Sequence, residues 1–247
     1  MLNVHAQASV QTARRMPLAA GSSSQKLNDF ALPNGAISEI AEMRKIGVIV
    51  NLARGKTVFG DGEEARYSYK VVEGAVRLSK IMLDGRRQIA EFALPGDMFG
   101  FECGDVYALS AEAVTPVTLV RYSRSNIERL GEECSDVRRE LLKHLRRGWT
   151  SAQAHLVMLG RQSAKERVAA FLVALAEHRS VQDGQSLELP MGRQDIADYL
   201  GLTIETVCRT LTDFKSDRII AIPDRHRVII RNLEALESLA EGEDTGL

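Results

Sequence analysis

The stretch from residue 193 to residue 214, RQDIADYLGLTIETVCRTLTDF, constrains the fold more than any other part of the chain. It contains two short amphipathic patterns, each with one apolar face. The apolar positions are Ile196, Ala197 and Leu200 in the first pattern and Ile204, Val207, Leu211 and Phe214 in the second. Between them, Gly201 supplies the left-handed geometry that ends a helix at low cost, and Thr203 is a favourable cap for the next helix. This spacing of small, glycine and β-branched residues predicts a helix-turn-helix.

The second helix is predicted to present a polar face opposite its apolar one. The side chains on that face are Glu205, Cys208, Arg209 and Thr212. An arginine can donate two hydrogen bonds to guanine and a carboxylate can accept one from the amino group of cytosine, so Glu205 and Arg209 are candidates for reading bases in a major groove. The alternative is an ordinary ion pair between residues four apart on a solvated helix. On the exposed face of a recognition helix, base reading is the hypothesis we favour.

Two alternating segments, RIIAI and RVIIR, follow on either side of PDRH and predict a two-stranded wing. Phosphate contacts position a protein on nucleic acid without reading its sequence. Candidates for such contacts are Arg193, Lys215 and the wing-tip residues Arg225, His226 and Arg227. Because the net charge is −1, attraction to nucleic acid has to come from a local arrangement of basic groups.

Short apolar segments punctuated by Gly, Pro and Asp run from about Val48 to Tyr122 and predict strands. The Asp84-Gly85 pair suits the tight turn of a hairpin that joins strands around Leu78 and Ile89. Several strands at such close spacing predict a small antiparallel β-barrel or jelly roll.

The spacing of the apolar residues changes between Asp136 and Gly160, where they recur at alternating intervals of three and four residues. These residues are Leu142, Leu145, Trp149, Ala152, Leu156 and Leu159. They form the seam of a heptad pattern on a helix of about 24 residues, roughly 36 Å long. The seam could pack on the protein's own barrel, but its regularity and narrowness favour a second copy of the same helix in a symmetric dimer.

The predicted fold is therefore α+β, with a β-barrel, a long dimerisation helix and a winged helix-turn-helix in that order. The predicted domains are a disordered extension (1–28), the barrel (29–135), the dimerisation helix (136–160) and the DNA-binding domain (161–247). The extension has basic residues and no acidic one, so an organellar transit peptide is the alternative there. No apolar run approaches the roughly 20 residues of a transmembrane helix, and we expect no membrane partner.

The three cysteines, Cys103, Cys134 and Cys208, form no CxxC pair, which argues against a disulfide framework or a metal site and fits a reducing cytoplasm. The sequence has no metal-ligand spacing, phosphate-cradling glycine loop or nucleophile elbow, so we expect no cofactor and no enzyme. The Cys208 thiol lies near a helix N-terminus and next to Arg209. It is a candidate redox switch, or else a small substitute for serine.

The order of these parts resembles the CRP/FNR superfamily of bacterial transcription regulators, and LGLTIETVCRTL is most similar to its FNR and FixK branch. The segments VVEGAVRLSK and LPGDMFG extend the resemblance into the barrel, so that it covers roughly residues 29–240. In that branch an E-x-x-S-R pattern reads half-sites of the type TTG and CAA separated by a spacer. Glu205 and Arg209 match the ends of this pattern, and Cys208 replaces its serine.

The resemblance also implies a role and partners. It suggests phosphate contacts by Arg193 and Thr206, with Thr203 as a further candidate. It implies a homodimeric activator that binds double-stranded DNA and RNA polymerase. For FixK, it implies control of genes for low-oxygen respiration or nitrogen fixation.

The chain departs from the sensors of that family. No cysteine precedes Cys103, so an oxygen-sensing iron–sulfur cluster is not expected. Gly100 is followed by Phe101, and Leu109 stands where an arginine would hold a cyclic phosphate, so nucleotide control is not expected either. This favours a FixK-like regulator controlled chiefly by its amount. The alternative is a small-molecule receptor in the barrel, with an anion site formed by Arg77, Arg86 and Arg87. The simpler interpretation of these three arginines is that they lie on solvent-exposed strands.

Overall fold

A computed structural model describes residues 25–26 and 40–242. Its N-terminal part contains β1 (Gln25–Lys26), α1 (Ala41–Ile46), β2 (Val48–Leu52), β3 (Thr57–Phe59), β4 (Tyr67–Glu73), β5 (Val76–Ile81), β6 (Arg87–Ala93), β7 (Met98–Phe99), β8 (Ser110–Ala113), β9 (Val117–Ser123) and α2 (Arg124–Glu133). The long helix α3 (Ser135–Arg161) follows. The C-terminal part contains α4 (Ala164–Arg179), β10 (Ser186–Glu188), α5 (Arg193–Leu200), α6 (Ile204–Ser216), β11 (Ile220–Asp224), β12 (Arg227–Ile230) and α7 (Leu233–Glu241).

The N-terminal strands form a jelly roll of two antiparallel sheets, ordered β1-β2-β9-β4-β7 and β3-β8-β5-β6. The sheets are separate layers, so the expected barrel is not closed. The hairpin predicted from Asp84-Gly85 is confirmed, because β5 pairs with β6 from Val76 opposite Ala93 to Ile81 opposite Arg87. Gly85 takes the left-handed φ of 83° in its turn.

Aromatic rings fill the space between the two sheets. Phe59 stacks on Tyr107 with ring centroids 3.6 Å apart, and Tyr69 stacks on Phe99 at 5.3 Å. All four rings are buried among the aliphatic side chains of the same core. The Tyr107 hydroxyl donates a 2.6 Å hydrogen bond to the carbonyl of Tyr67, which satisfies the polar end of a buried ring.

The helix α3 joins the jelly roll to the C-terminal domain, and one guanidinium organises the junction. Arg167 on α4 donates three hydrogen bonds of 2.9 Å, to the carbonyls of Leu159 in α3, Gln162 in the connection and Leu200 at the end of α5. Carbonyls near the end of a helix lack intrahelical partners. A single side chain therefore satisfies the ends of two helices and the link between α3 and α4.

The C-terminal domain is a winged helix-turn-helix. Its wing contains a third strand beyond the two that were predicted for it, since β10 pairs with β12, which in turn pairs with β11. The core of this domain continues into the jelly roll, where Ala75, Leu94 and Val114 belong to the same buried cluster. The two parts of the chain are therefore packed against each other as well as covalently connected.

Two residues of the segment predicted to be a disordered extension do not fit that prediction. Gln25 and Lys26 form β1, which pairs antiparallel with Ile49 and Val48 of β2. The rest of that segment, together with residues 243–247 of the predicted C-terminal domain, lies outside the described residues.

Candidate nucleic-acid interface

The turn between α5 and α6 is built as its glycine and threonine predict. Gly201 has φ 63° and ψ 36°, and the N–H of Leu202 donates to the carbonyl of Ala197. The Thr203 side chain accepts a 3.2 Å hydrogen bond from the N–H of Thr206 and so caps α6. This bond satisfies one of the donors that the first turn of a helix leaves open. Local hydrogen bonding thus defines where α5 ends and α6 begins.

The recognition helix α6 has one buried and one open face. Val207, Leu211 and Phe214 are buried, and Ala197 of α5 is fully buried where the two helices meet. The opposite face consists of exposed side chains, namely Glu205, Cys208, Arg209 and Thr212. The structure brings the residues predicted to read bases together on a single solvent-facing surface.

Glu205 and Arg209 do not pair with each other, so the ion pair that was the alternative hypothesis is not formed. Hydrogen bonds from its own backbone N–H and from the Thr203 hydroxyl keep the pKa of the exposed Glu205 carboxyl below its usual value. The carboxylate is therefore ionised near neutral pH and can only accept hydrogen bonds. Arg209 makes no hydrogen bond or ion pair to another described residue, so its donors face solvent.

Arg193 lies at the start of α5, close to Cys208. It is half-buried, and this burial lowers the pKa of its guanidinium, while the neighbouring Cys208 acts in the opposite direction. Its Nη1 atom is buried and has no hydrogen-bond acceptor among the described residues. An unsatisfied buried donor costs free energy, so a ligand oxygen that reached it would be bound favourably.

The other phosphate candidates surround the same face. The hydroxyls of Thr203 and Thr206 lie 3.1 Å apart at the N-terminus of α6, and Lys215 is exposed in its last turn. On the wing, Arg227 donates a 2.7 Å hydrogen bond to Asp224, while Arg225 is exposed. The hydroxyl donors therefore lie at the N-terminus of α6, and the cationic donors lie in its last turn and on the wing.

The apolar seam of α3 is largely exposed. Trp149 is 67% and Leu156 is 71% accessible, and Leu142, Leu145 and Ala152 are exposed too. The alternative hypothesis, that this stripe packs on the protein's own barrel, is therefore wrong for these five residues. Exposed apolar stripes of this kind mark interaction surfaces.

The last residue of the predicted seam behaves differently. Leu159 is only partly exposed and lies against the helix-turn-helix, because a methyl group added at Gly201 would be 3.4 Å from its side chain. Val157, which the heptad spacing does not select, is 63% exposed next to Leu156. The end of α3 has therefore turned its apolar side towards the C-terminal domain.

The interior of the jelly roll is packed with buried aromatic and aliphatic side chains. The four stacked rings occupy it, and Ser110, which follows Leu109, accepts a 2.9 Å hydrogen bond from the N–H of Asp61. Phe101 is half-buried against a separate apolar cluster around Met98 and Tyr122. The positions that differ from a nucleotide sensor are thus used for internal packing and hydrogen bonding.

The arginines proposed as an anion site are not free, and two of them are not on solvated strands. Arg77 and Arg87 donate to carboxylates of α5, which approach them from the C-terminal domain. Arg86 instead donates to Asp84 within the exposed hairpin turn, at 2.7 Å. A shared anion site formed by these three side chains is therefore not present in this arrangement.

A cleft of about 870 Å³ lies between the jelly roll, α3 and α4. Its walls include Glu91 and Phe92 of β6, Arg147 of α3 and Phe171 of α4. Glu91 makes no hydrogen bond or ion pair to another described residue, and its burial, assisted by the Asp97 carboxylate, raises its pKa to about 7. The walls of this cleft come from segments far apart in the chain, so no local sequence pattern indicates it.

No helix in the described part of the chain combines the length and apolarity needed to cross a membrane. Those same residues include no group of three or more His, Cys, Asp or Glu side chains placed to hold a metal ion.

Comparisons with known families and proteins agree with this geometry. The Crp-like helix-turn-helix domain matches residues 166–239, and the cyclic nucleotide-binding domain matches residues 49–134. The nitrogen fixation regulation protein FixK of Rhizobium meliloti is 46% identical over 185 residues, which cover 75% of this chain and 83% of that protein. FixK of Azorhizobium caulinodans is 43% identical over 197 residues, or 78% and 79% of the two chains. The structure of FixK2 from Bradyrhizobium japonicum superposes with a TM-score of 0.74 at 37% identity, covering 78% of this chain and 97% of that one.

Proposed function

Because the chain belongs to the FixK branch of the CRP/FNR superfamily, a family of non-enzymatic regulators, we propose that it acts as a homodimer on palindromic DNA of the type TTG-spacer-CAA. That it is a DNA-binding transcription regulator follows from the family itself. The dimer, the form of the DNA site and the set of regulated genes are our proposal.

The observation that carries the proposal is the open pair on α6. Glu205 and Arg209 lie one turn apart with head groups that bind no other side chain of the recognition face. An ionised carboxylate accepts from the amino group of cytosine, and a guanidinium donates to both acceptors of guanine. The pair therefore supports the reading of adjacent guanine and cytosine edges, as TTG and CAA half-sites require.

The exposed stripe of α3 supports the dimer. Leu142, Leu145, Trp149, Ala152 and Leu156 repeat at heptad spacing along a helix of 27 residues. Pairing two such helices around a twofold axis removes this apolar surface from water. The same axis would present two copies of α6 to successive major grooves about 34 Å apart, which explains why the DNA site should be a palindrome.

Phosphate contacts would hold each α6 in its groove. Arg193, Thr203, Thr206 and Lys215 surround the open face, and the buried Nη1 of Arg193 lacks an acceptor that a phosphate oxygen could supply. Cys208 takes the position between the two base-reading residues, where a small, weakly polar side chain can contact a thymine methyl.

The biological role follows from the relatives. Relatives from three organisms are named nitrogen fixation regulation proteins, and others are named transcriptional activators. We propose that this protein is an activator that contacts RNA polymerase in the bacterial cytoplasm. Its targets would be genes for low-oxygen respiration or nitrogen fixation.

Fluorescence anisotropy with labelled duplexes tests the proposal. A TTG-N8-CAA duplex, whose half-site centres lie about one helical turn apart, should bind far more tightly than a duplex with one half scrambled, and that one more tightly than a duplex with both scrambled. Specific binding typically exceeds non-specific binding by about 10³-fold or more at physiological salt. Equal affinity for all three duplexes would remove the base-reading proposal.

A second candidate function, that of an effector receptor, is supported by the cleft and not by the jelly-roll interior. The cleft of about 870 Å³ has both apolar walls, such as Phe92 and Phe171, and charged ones, including Arg147 and the unpaired Glu91 carboxyl. Calorimetry with cyclic nucleotides and other small metabolites separates the two functions. A receptor shows saturable heat and a change in DNA affinity with ligand, whereas a regulator controlled by its amount shows neither.

A further inference from the structure

Four charged side chains connect the first helix of the DNA-binding domain to the jelly roll, and we call them the interdomain clamp. They are Arg77 on β5, Arg87 on β6, and Asp195 and Asp198 on α5. Asp195 Oδ1 accepts from Arg77 Nη1 at 2.9 Å and from Arg87 Nη2 at 2.6 Å, and Asp198 Oδ2 accepts from Arg87 Nε at 2.8 Å. Arg77 also donates to Glu112 on β8 at 2.6 Å, so three strands of one sheet are engaged.

The clamp differs from an ordinary surface ion pair in its burial. The side chains of Arg77 and Asp195 are only 15% and 13% accessible, and those of Arg87 and Asp198 are 23% and 14% accessible. Exposed pairs contribute little, but removal of one partner from a largely buried pair leaves a charge without compensation. If α5 moved away from the jelly roll, both the arginines and the aspartates would lose their partners. Each unpaired charge would then cost free energy.

An aromatic contact reinforces the clamp on the next turn of α5. The ring of Tyr199 stacks on His155 of α3 at 4.1 Å and lies 5.4 Å from Phe92 of β6 and 5.8 Å from Phe171 of α4, measured between ring centroids. The carbonyl of Tyr199 lies 2.9 Å from His155 Nε2. α5 is therefore held against the sheet, the long helix and α4 at one place.

We infer that the interdomain clamp sets the separation of the two recognition helices in the dimer, and with it the spacer length that the protein accepts, an inference that rests on the proposed function. α5 packs on α6 through the buried Ala197, so the orientation of α5 determines that of α6. The jelly roll, whose β5 and β6 hold α5, is connected through β9 of its other sheet and α2 to α3, which carries the dimer stripe. The clamp thus transmits the geometry of the dimer axis to the DNA-reading surface.

The clamp would also make a bound effector unnecessary for orienting the DNA-binding domain. An anion entering between Arg77 and Arg87 would have to displace the Asp195 carboxylate that both side chains already bind. With this internal carboxylate in place, the DNA-binding domain is held in one orientation without a ligand. The four clamp residues are positioning residues that need not contact DNA.

A spacer series with a double-mutant cycle tests this inference. The variants are Arg87→Gln, Asp198→Asn and the double variant, each measured on duplexes with the TTG-N8-CAA spacer and with spacers one and two base pairs longer or shorter. The matched control is Arg86→Gln, which removes the Arg86–Asp84 contact in the same hairpin without touching α5.

We expect each single variant to bind the TTG-N8-CAA duplex about tenfold more weakly and to discriminate less between spacers, because its two α6 helices are no longer held at one separation. The double variant should lose no more than Arg87→Gln alone, since Arg87→Gln already removes the contact to Asp198 together with the contact to Asp195. Arg86→Gln should behave as wild type. Variants that keep the wild-type spacer preference, or that lose affinity equally on every spacer with additive effects, would overturn the inference.

The two proposals fail in different ways. Wild-type protein that ignores base sequence overturns the proposed function. Wild-type protein that prefers one spacer, together with clamp variants that keep the same preference, overturns the clamp alone.

A measurement without DNA gives an independent result. Spin labels at Ser216→Cys, in a background with the three native cysteines changed to Ser, should show one narrow distance in the dimer and a broadened distribution after Asp198→Asn. An unchanged distribution would also overturn the clamp.

Discussion

The helices α5 and α6 are consecutive in the chain and share one core, yet their charged side chains have opposite surroundings. On α5, Asp195 and Asp198 are bound by arginines of the jelly roll and are largely buried. On α6, Glu205 and Arg209 are exposed and leave each other unpaired at a spacing that permits a pair. The two carboxylates of α5 are satisfied within the protein, whereas Glu205 and Arg209 of α6 are available to an external partner.

This difference is what we expect of a domain in which α5 positions the proposed reading helix and α6 contacts the DNA. Buried ion pairs are geometrically strict, so they suit the task of holding a helix in one orientation. Exposed charges on a rigid helix remain free to exchange their water for base edges.

The largest effect is expected at the exposed apolar stripe of α3, because contact with both halves of a palindrome requires two copies of α6. Trp149→Glu should give a monomer and lower the affinity for the palindrome by about 10²- to 10⁴-fold, since binding of the second half-site is no longer intramolecular. Sedimentation and anisotropy measure both changes. Ala154→Glu, on the same helix but off the stripe, is the control and should remain dimeric. A tightly binding monomer would contradict the prediction.

Glu91 is a third case, since it is unpaired like the charges of α6 but half-buried in the wall of the cleft. Its folded-state pKa of about 7 lies above the ordinary value of 4.5. Its contribution to stability is therefore fully present below about pH 4.5 and is lost as the pH rises through 7. The free energy of unfolding should fall by up to about 3 kcal/mol over this range.

Denaturant unfolding of Glu91→Gln against wild type at several pH values checks this slope. The variant should show a flatter profile, whereas Glu63→Gln at an exposed position should follow wild type. Parallel profiles for all three proteins would show that the Glu91 carboxyl does not titrate in this way.

Arg209→Ala tests the exposed, unpaired charges of α6 directly. It should weaken binding to the TTG-N8-CAA duplex by about 1 to 3 kcal/mol and relax the preference at one base pair of each half-site. The free energy of unfolding should change by less than about 0.5 kcal/mol, because the side chain is exposed and unpaired. Selection from a randomised duplex pool and thermal unfolding measure the two quantities. Arg231→Ala serves as an exposed arginine outside α6, and equal losses in both variants would contradict the prediction.

Lys215→Ala should have a smaller and non-specific effect. Loss of one phosphate contact should weaken binding almost equally for all sequences and reduce the slope of log affinity against log salt by about 1. A salt titration measures the slope. Lys165→Ala, exposed at the start of α4, is the control and should leave it unchanged. A change in base preference after Lys215→Ala would instead make Lys215 a reading residue.

The smallest effect is expected at Cys208. Cys208→Ser should keep the affinity within about 0.5 kcal/mol, since the substitution exchanges one small exposed side chain for another. Treatment of wild type with peroxide, with Cys103→Ser as the control for the other exposed thiol, completes the comparison. Weaker binding after peroxide in wild type but not in Cys208→Ser would identify a redox switch in place of a serine substitute.

The parts of this arrangement that depend on neighbouring residues could be predicted from the sequence. The turn at Gly201, the cap at Thr203 and the two faces of α6 follow from local geometry and helical periodicity. The clamp could not be predicted, because Arg77 and Asp195 are 118 positions apart and each alone looks like a solvated charge. Leu159 fits the heptad pattern, but the packing of the helix-turn-helix beside it covers part of its side chain.

The triple contact of Arg167 has a mechanical consequence. Because one rigid, planar group joins the end of α3, the connection and the end of α5, the angle between α3 and α4 cannot change without also loosening the helix-turn-helix. A lysine, with a single ammonium head, could not reach the three carbonyls in the same geometry. Bending between α3 and α4 would therefore also disturb the helix-turn-helix, so we expect this junction to be stiff.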